Sequence, residues 1–146
     1  MVPFYVLVAV FLLGQLLGLA GIPYFTGWSN SLRVAVAAML LVTASAHWGK
    51  RRPDLIRMVP PAFPKPDRIV TITGWLEIAG AIGILIPFTS RAASVCLALL
   101  MVAMFPANVR AAKEKLSIGG RPVPKLLPRT VLQIVFIAAT LLAGWG

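Results

Sequence analysis

Five apolar stretches, separated by polar or proline-rich connections, dominate the hydropathy pattern of this chain. Each stretch is close to the roughly 17–25 residues that an α-helix needs to cross the ~30 Å hydrocarbon core of a bilayer. Charged side chains are rare inside the stretches. The predicted spans are residues 3–20, 32–48, 68–86, 91–112 and 128–145.

The pattern predicts an all-α integral membrane bundle in which residues 1–146 form a single domain. The connections between the spans are too short for a second domain, and residues 87–90 join the third and fourth spans as an antiparallel hairpin. Composition agrees, because 59% of the residues are hydrophobic and 12% are charged, against roughly 25% charged in ordinary soluble domains. The mean hydropathy is +0.88.

The 14 lysines and arginines are unevenly divided along the chain. Only Arg33 and Arg91 lie near the two short connections. The positive-inside rule therefore places both long connections in the cytoplasm, with the N-terminus inside. The twelve basic residues in or beside the long connections are Lys50, Arg51, Arg52, Arg57, Lys65, Arg68, Arg110, Lys113, Lys115, Arg121, Lys125 and Arg129.

Two other interpretations of the charge and of the N-terminus are less favoured. A net charge of +10 would suit nucleic acid, but nucleic-acid binding requires a basic face on a soluble module, so no such partner is predicted. The first span ends in small residues, as a cleaved signal peptide would. It lacks a basic start and is longer than a typical apolar signal region.

Cysteine and histidine usage limits the chemistry. The single cysteine, Cys96, excludes an intramolecular disulfide and a CxxC pair, so a redox role would need a bound cofactor or another protein. One histidine, His47, and one nearby carboxylate fall short of the three or four ligands of a zinc site. No metal site is predicted.

Glu77 lies near the middle of the third span in a chain with four acidic residues. A carboxylate at that depth costs at least ~2.5 kcal/mol and must face protein or water. His47 ends the second span, and these two residues are the candidate catalytic groups. Pro106 is expected to kink the fourth span. The candidate ligand-binding residues, most of them near the cytoplasmic ends of the spans, are Thr73, Trp75, Asn108, Gln133 and Arg129.

Structural roles remain open for the same residues. Glu77 could pair with His47 or Arg129 to lock the bundle, and His47 could be an interfacial histidine. Asn108 and Gln133 could be interhelical hydrogen-bonding residues, which typically contribute under ~2 kcal/mol.

Four short motifs carry a resemblance to a known family: His47-Trp48-Gly49-Lys50, Gly74-Trp75-Leu76-Glu77 followed by Gly80, Thr89-Ser90-Arg91, and Phe105-Pro106-Ala107-Asn108. From the second span onward the chain resembles the DoxX-like family of small bacterial membrane proteins, although Ala81 stands where the family pattern has a glycine. The resemblance implies a four-helix core, to which the first span is additional, in the bacterial cytoplasmic (inner) membrane. It also implies association with a redox system, with a quinone as the only cofactor suggested.

Three functions are consistent with these observations. The first is a redox-associated protein that binds a quinone or similar lipophilic small molecule in a cytoplasm-facing pocket around Glu77. The second is an isomerase-type enzyme with Glu77 as general acid or base. The third is a non-catalytic scaffold subunit. The expected partners are the lipid bilayer, the lipophile, and a partner redox protein or a second copy of the chain.

Overall fold

A computed structural model describes residues 2–114, 117–118, 121–122 and 125–145. These residues form six α-helices, and the prediction of an all-α protein is confirmed. A 3-10 turn, Pro23–Phe25, follows the first helix, and two-residue strands β1 (Ser117–Ile118) and β2 (Arg121–Pro122) pair antiparallel. Lys115 lies outside the described residues. The helices are α1 (Val2–Leu19), α2 (Trp28–Ser45), α3 (Arg52–Met58), α4 (Pro66–Leu85), α5 (Ser90–Lys113) and α6 (Leu126–Trp145).

Four of the described helices are long and apolar enough to cross a membrane: α1, α4, α5 and α6. Helix α2 is not among them. It has 18 residues, or about 27 Å at ~1.5 Å per residue, but its first turns contain Ser29, Asn30, Ser31 and Arg33 and are therefore polar. Four spans are thus supported by length and composition, whereas the predicted second span is not.

The predicted bounds of the second span are displaced from those of α2. The helix begins at Trp28 because Gly27, in extended conformation, precedes it, and the polar residues after Trp28 continue the helix. At the other end, the amide of His47 donates to the carbonyl of Ala44 at 3.0 Å. This i−3 bond tightens the chain after Ser45, so His47 lies in a turn beyond the helix rather than at its last position.

Helices α2, α4, α5 and α6 pack in a closed ring, in which each contacts its two neighbours. Helix α1 lies outside this ring and packs against α2 and the 3-10 turn. Gly14 of α1 faces Ser31 so closely that a Cβ at Gly14 would lie 2.7 Å from the Ser31 hydroxyl. The core inside the ring is formed largely by Val36, Met39, Ile84 and Leu97.

Both long connections lie at the same end of the ring. The end of α2 contacts the start of α4 through His47 and Val70, and Arg110 near the end of α5 donates to the carbonyl of Val59 in the first connection. At the opposite end the guanidinium of Arg91 lies 5.6 Å from the Trp145 ring centroid. The basic residues are therefore concentrated at one end of the molecule, which we call the basic end.

Candidate functional site

Glu77 lies on α4 and faces the interior of the ring, with only 6% of its surface exposed. The hydroxyl of Thr43, on α2, lies 3.0 Å from Oε2 of Glu77 and 2.9 Å from the carbonyl oxygen of Leu40. Its one hydrogen can be donated to only one of these acceptors at a time. Thr43 is therefore a hydrogen-bond partner of Glu77 that can donate to the Leu40 carbonyl instead.

His47 is held beside Glu77 by a backbone contact. Its Nδ1 atom lies 2.7 Å from the carbonyl oxygen of Val70. A carbonyl oxygen can only accept, so Nδ1 carries the hydrogen. The other ring nitrogen, Nε2, faces Oε2 of Glu77 at 3.6 Å. This separation permits a charge interaction but is longer than a charge-assisted hydrogen bond of ~2.7–2.9 Å.

Gly74 allows this close approach of the α2 end to α4. A Cβ at Gly74 would lie 2.9 Å from the Cβ of His47 and 2.7 Å from the Trp48 ring. A side chain there would push the imidazole away from α4. The glycine therefore positions the His47–Glu77 pair.

Arg52 at the start of α3 joins the two helix ends that carry the pair. Its guanidinium donates to the carbonyl oxygen of His47 at 2.8 Å, to that of Asp67 at 2.9 Å and to the hydroxyl of Thr71 at 2.8 Å. The first bond pairs a carbonyl just beyond the C-terminus of α2, and the other two attach α3 to the first turns of α4. The sequence indicated Arg52 only as one basic residue of a connection.

A second polar cluster connects α5 and α6 at the same end of the ring. Arg129 donates to Oδ1 of Asn108 at 2.7 Å, and the Asn108 amide lies 3.5 Å from Oε1 of Gln133. The Gln133 amide also donates to the carbonyl of Met101, five residues before Pro106. The carbonyl that Pro106 leaves without its helical donor is that of Val102, four residues before it, so the bond from Gln133 is made one residue earlier in the same turn.

A cavity of about 590 Å³ joins the two polar clusters. Its walls include Thr43, His47 and Glu77 from one side and Asn108, Arg129 and Gln133 from the other. Between them the lining is mainly apolar and includes Leu97, Leu100, Met101, Met104 and Phe136. Val2, Pro3 and Tyr5 of α1 also line the cavity, and Arg51, which is exposed, marks its solvent side.

A family model described as Domain of unknown function (DUF8561) matches residues 36–143. The chain belongs to the DUF8561 family. The matched region contains both polar clusters, the later part of α2, and helices α3 to α6. Helix α1 precedes it. No curated protein and no solved structure matches the chain.

Five of the seven predicted site residues line the cavity within the DUF8561 region: His47, Glu77, Asn108, Arg129 and Gln133. The structure does not bring the other two to it. The Thr73 hydroxyl donates to the carbonyl of Ile69 at 2.9 Å and lies 3.4 Å from Nδ1 of His47. It therefore contacts the ring nitrogen that faces Val70, not the one that faces Glu77. Trp75 is 60% exposed and packs edge-on against Trp48, with ring centroids 5.2 Å apart.

Thr43 and Arg51 are cavity residues that sequence reasoning missed. Thr43 lies four residues before His47, one helical turn away, which is a spacing that places two side chains on one face. The sequence indicates Arg51 only as one of the basic residues that set the membrane orientation. Among the described residues, no three His, Cys, Asp or Glu side chains are grouped as a metal site would require, and Cys96 is exposed.

Proposed function

We propose that this DUF8561 protein binds a lipophilic small molecule, such as a quinone, in the cavity between its two polar clusters. The observation that carries the proposal is the cavity itself. Its volume of about 590 Å³ falls within the ~300–1,000 Å³ of typical small-molecule sites, and such sites combine apolar walls with a few convergent polar groups. A quinone has a carbonyl at each side of its ring. Arg129 can donate to one of them, and Glu77 or His47 can donate to the other when its cavity-facing atom carries a proton.

The geometry of the acid–imidazole pair favours a role in ligand or proton chemistry over a structural lock. Nε2 of His47 and Oε2 of Glu77 are 3.6 Å apart, so neither atom is committed to a short hydrogen bond with the other. Both residues line the cavity. A ligand hydroxyl can therefore donate to either group, a ligand carbonyl can accept from either group when that group is protonated, and a proton can be exchanged in both cases.

The proposed setting is a redox-associated protein of the bacterial cytoplasmic membrane, with a DoxX-like core and five spans. Helix α2 would be the fifth span. Its lower apolarity does not oppose this, because α1, α4 and α6 pack around it and shield its polar residues from lipid. The positive-inside rule then orients the basic end, and the cavity with it, toward the cytoplasm.

An isomerase-type reaction is the second candidate. The specific observation in its favour is a buried carboxyl group, Glu77, with a hydroxyl 3.0 Å away and an imidazole 3.6 Å away on one cavity wall. An acid in such a site can move a proton within a bound lipophile. A partner redox protein or a second copy remains a prediction for either function.

Extraction and mass spectrometry of lipophiles that co-purify with the full chain would test the proposal. Ala46 lines the cavity, so Ala46→Phe should fill it and lower the amount of bound lipophile. Ala103 is exposed on α5 and is not a cavity residue, so Ala103→Phe is the matched control. Retention of the same lipophile in equal amount by both variants would contradict the proposal, and absence of any lipophile from the wild type would favour a scaffold.

A further inference from the structure

The carboxylates of this chain are too few to neutralise the guanidinium groups at the cavity. The sequence has four acidic residues, and the structure describes all of them. Asp54 pairs with Arg57, and Glu114 pairs with Arg110. Asp67 is exposed at the start of α4. Only Glu77 lines the cavity.

Glu77 lies on the α2–α4 wall with Thr43 and His47 as its polar neighbours, and no salt bridge joins it to a guanidinium within the described residues. Arg129 and Arg51 also line the cavity, and no salt bridge joins either to a carboxylate within the described residues.

Arg129 is only partly satisfied by the protein. It is half-buried, and one of its terminal nitrogens donates to Asn108 at 2.7 Å. Its Nε atom is buried and has no hydrogen-bond partner among the described residues. A guanidinium presents five N–H donors in a planar fork that matches a carboxylate or phosphate. A buried donor without a partner is costly, so this group is suited to an acceptor supplied by a ligand, and its charge favours an anion.

We infer that the lipophile in this cavity carries an anionic head group, a carboxylate or a phosphate, which Arg129 and Asn108 bind. The inference rests on the proposed function and narrows it, because it assigns the lipophile of the same cavity to an anionic class rather than to neutral lipophiles such as quinones. The tail lies among Leu97, Met101 and Met104, and Arg51 attracts the head group at the solvent side. The head group then accepts hydrogen bonds from Arg129 that also join two opposite charges, whereas a neutral lipophile offers the guanidinium no opposite charge.

Binding measurements on the full chain in nanodiscs of zwitterionic phospholipid would test this inference. The probes are oleate, oleyl alcohol with the same chain and a neutral head, and a short-tailed quinone. Oleate should bind roughly tenfold or more tightly than oleyl alcohol, as expected for hydrogen bonds to a charged group. Discs that contain phosphatidylglycerol distinguish the source, because competition with oleate would show that a bilayer phospholipid supplies the anion.

Variants of Arg129 make the test specific. Arg129→Gln should abolish the preference for oleate while leaving the affinity for oleyl alcohol within about twofold, which also shows that the cavity is intact. Arg129→Lys should retain part of the preference. Arg68 is exposed at the same basic end and does not line the cavity, so Arg68→Gln should change neither affinity.

Two negative results have different meanings. Equal affinities for oleate and oleyl alcohol, or an unchanged preference in Arg129→Gln, would overturn the anionic head group while lipophile binding stands. No binding of any of the three probes would overturn the proposed function together with this inference.

Discussion

Replacement of Glu77 separates a functional carboxyl group from a structural lock. In Glu77→Leu, Thr43 keeps the Leu40 carbonyl at 2.9 Å as acceptor, and His47 keeps its bond to Val70 at 2.7 Å. Neither neighbour is left without a hydrogen bond. The change therefore removes at most one hydrogen bond to a charged group, ~1.5–3 kcal/mol, and it also removes the ~2.5 kcal/mol or more needed to keep a carboxylate inside a membrane.

These two effects nearly cancel, so the free energy of unfolding should change by no more than about 1 kcal/mol. For a protein of this size that corresponds to a shift of about 2–4 °C in Tm. Glu77→Gln keeps the side-chain volume and an acceptor for Thr43, and it should be equally stable. Thermal unfolding in a mild detergent, followed by tryptophan fluorescence, would measure both variants.

Function should respond differently from stability. Both variants should lose the part of the ligand-linked proton exchange that Glu77 carries, because neither replacement side chain titrates. A structural lock predicts the opposite pattern, since breaking a buried ion pair typically costs ~3–5 kcal/mol. If Glu77→Leu lost that much stability while ligand binding persisted in the folded fraction, the functional assignment of Glu77 would be wrong.

Two further predictions concern topology and the packing of the site. In a cysteine-free background, Lys50→Cys and Lys113→Cys should both resist an impermeant thiol reagent outside intact cells, and ready labelling of both would reverse the proposed orientation. Gly74→Ala should lower stability by ~1–3 kcal/mol, as overpacking does, and weaken ligand binding, because its methyl would lie 2.9 Å from the Cβ of His47. Gly49→Ala, whose Cβ would meet nothing nearer than 3.5 Å, is the control; equal effects of the two would argue against the packing role of Gly74.

The sequence predicted the four most apolar helices better than α2. Helices α1, α4, α5 and α6 follow continuous apolar runs, and their observed ends lie within about two residues of the predicted ones. Helix α2 is shielded by three other helices, so apolarity does not mark its start. Polar residues such as Asn30 are helical there because neighbouring elements supply their partners, as the carbonyl of Tyr24 does at 2.8 Å.

Within the site, polar residues were predictable where they interrupt apolar runs, as His47 and Glu77 do. Thr43 was not predictable, because a threonine in an apolar helix usually bonds to its own helix backbone. The Thr43 hydroxyl lies within hydrogen-bonding distance of such a carbonyl, that of Leu40, and also of Glu77. Trp75 is a predicted site residue because it belongs to the same motif as Glu77, Gly74-Trp75-Leu76-Glu77. Residues two positions apart on a helix lie about 200° apart around the axis at ~3.6 residues per turn, so Trp75 faces outward.

Photolabelling of the bound lipophile tests most directly whether the cavity between the two polar clusters is a ligand site. An alkyl-diazirine lipophile would be activated in nanodiscs containing the full chain, and the labelled residues would be located by tandem mass spectrometry. We predict adducts on the cavity residues Leu97, Leu100 and Met104, with labelling reduced in Ala46→Phe. Labelling confined to outward-facing residues such as Leu16, unchanged in that variant, would contradict the account.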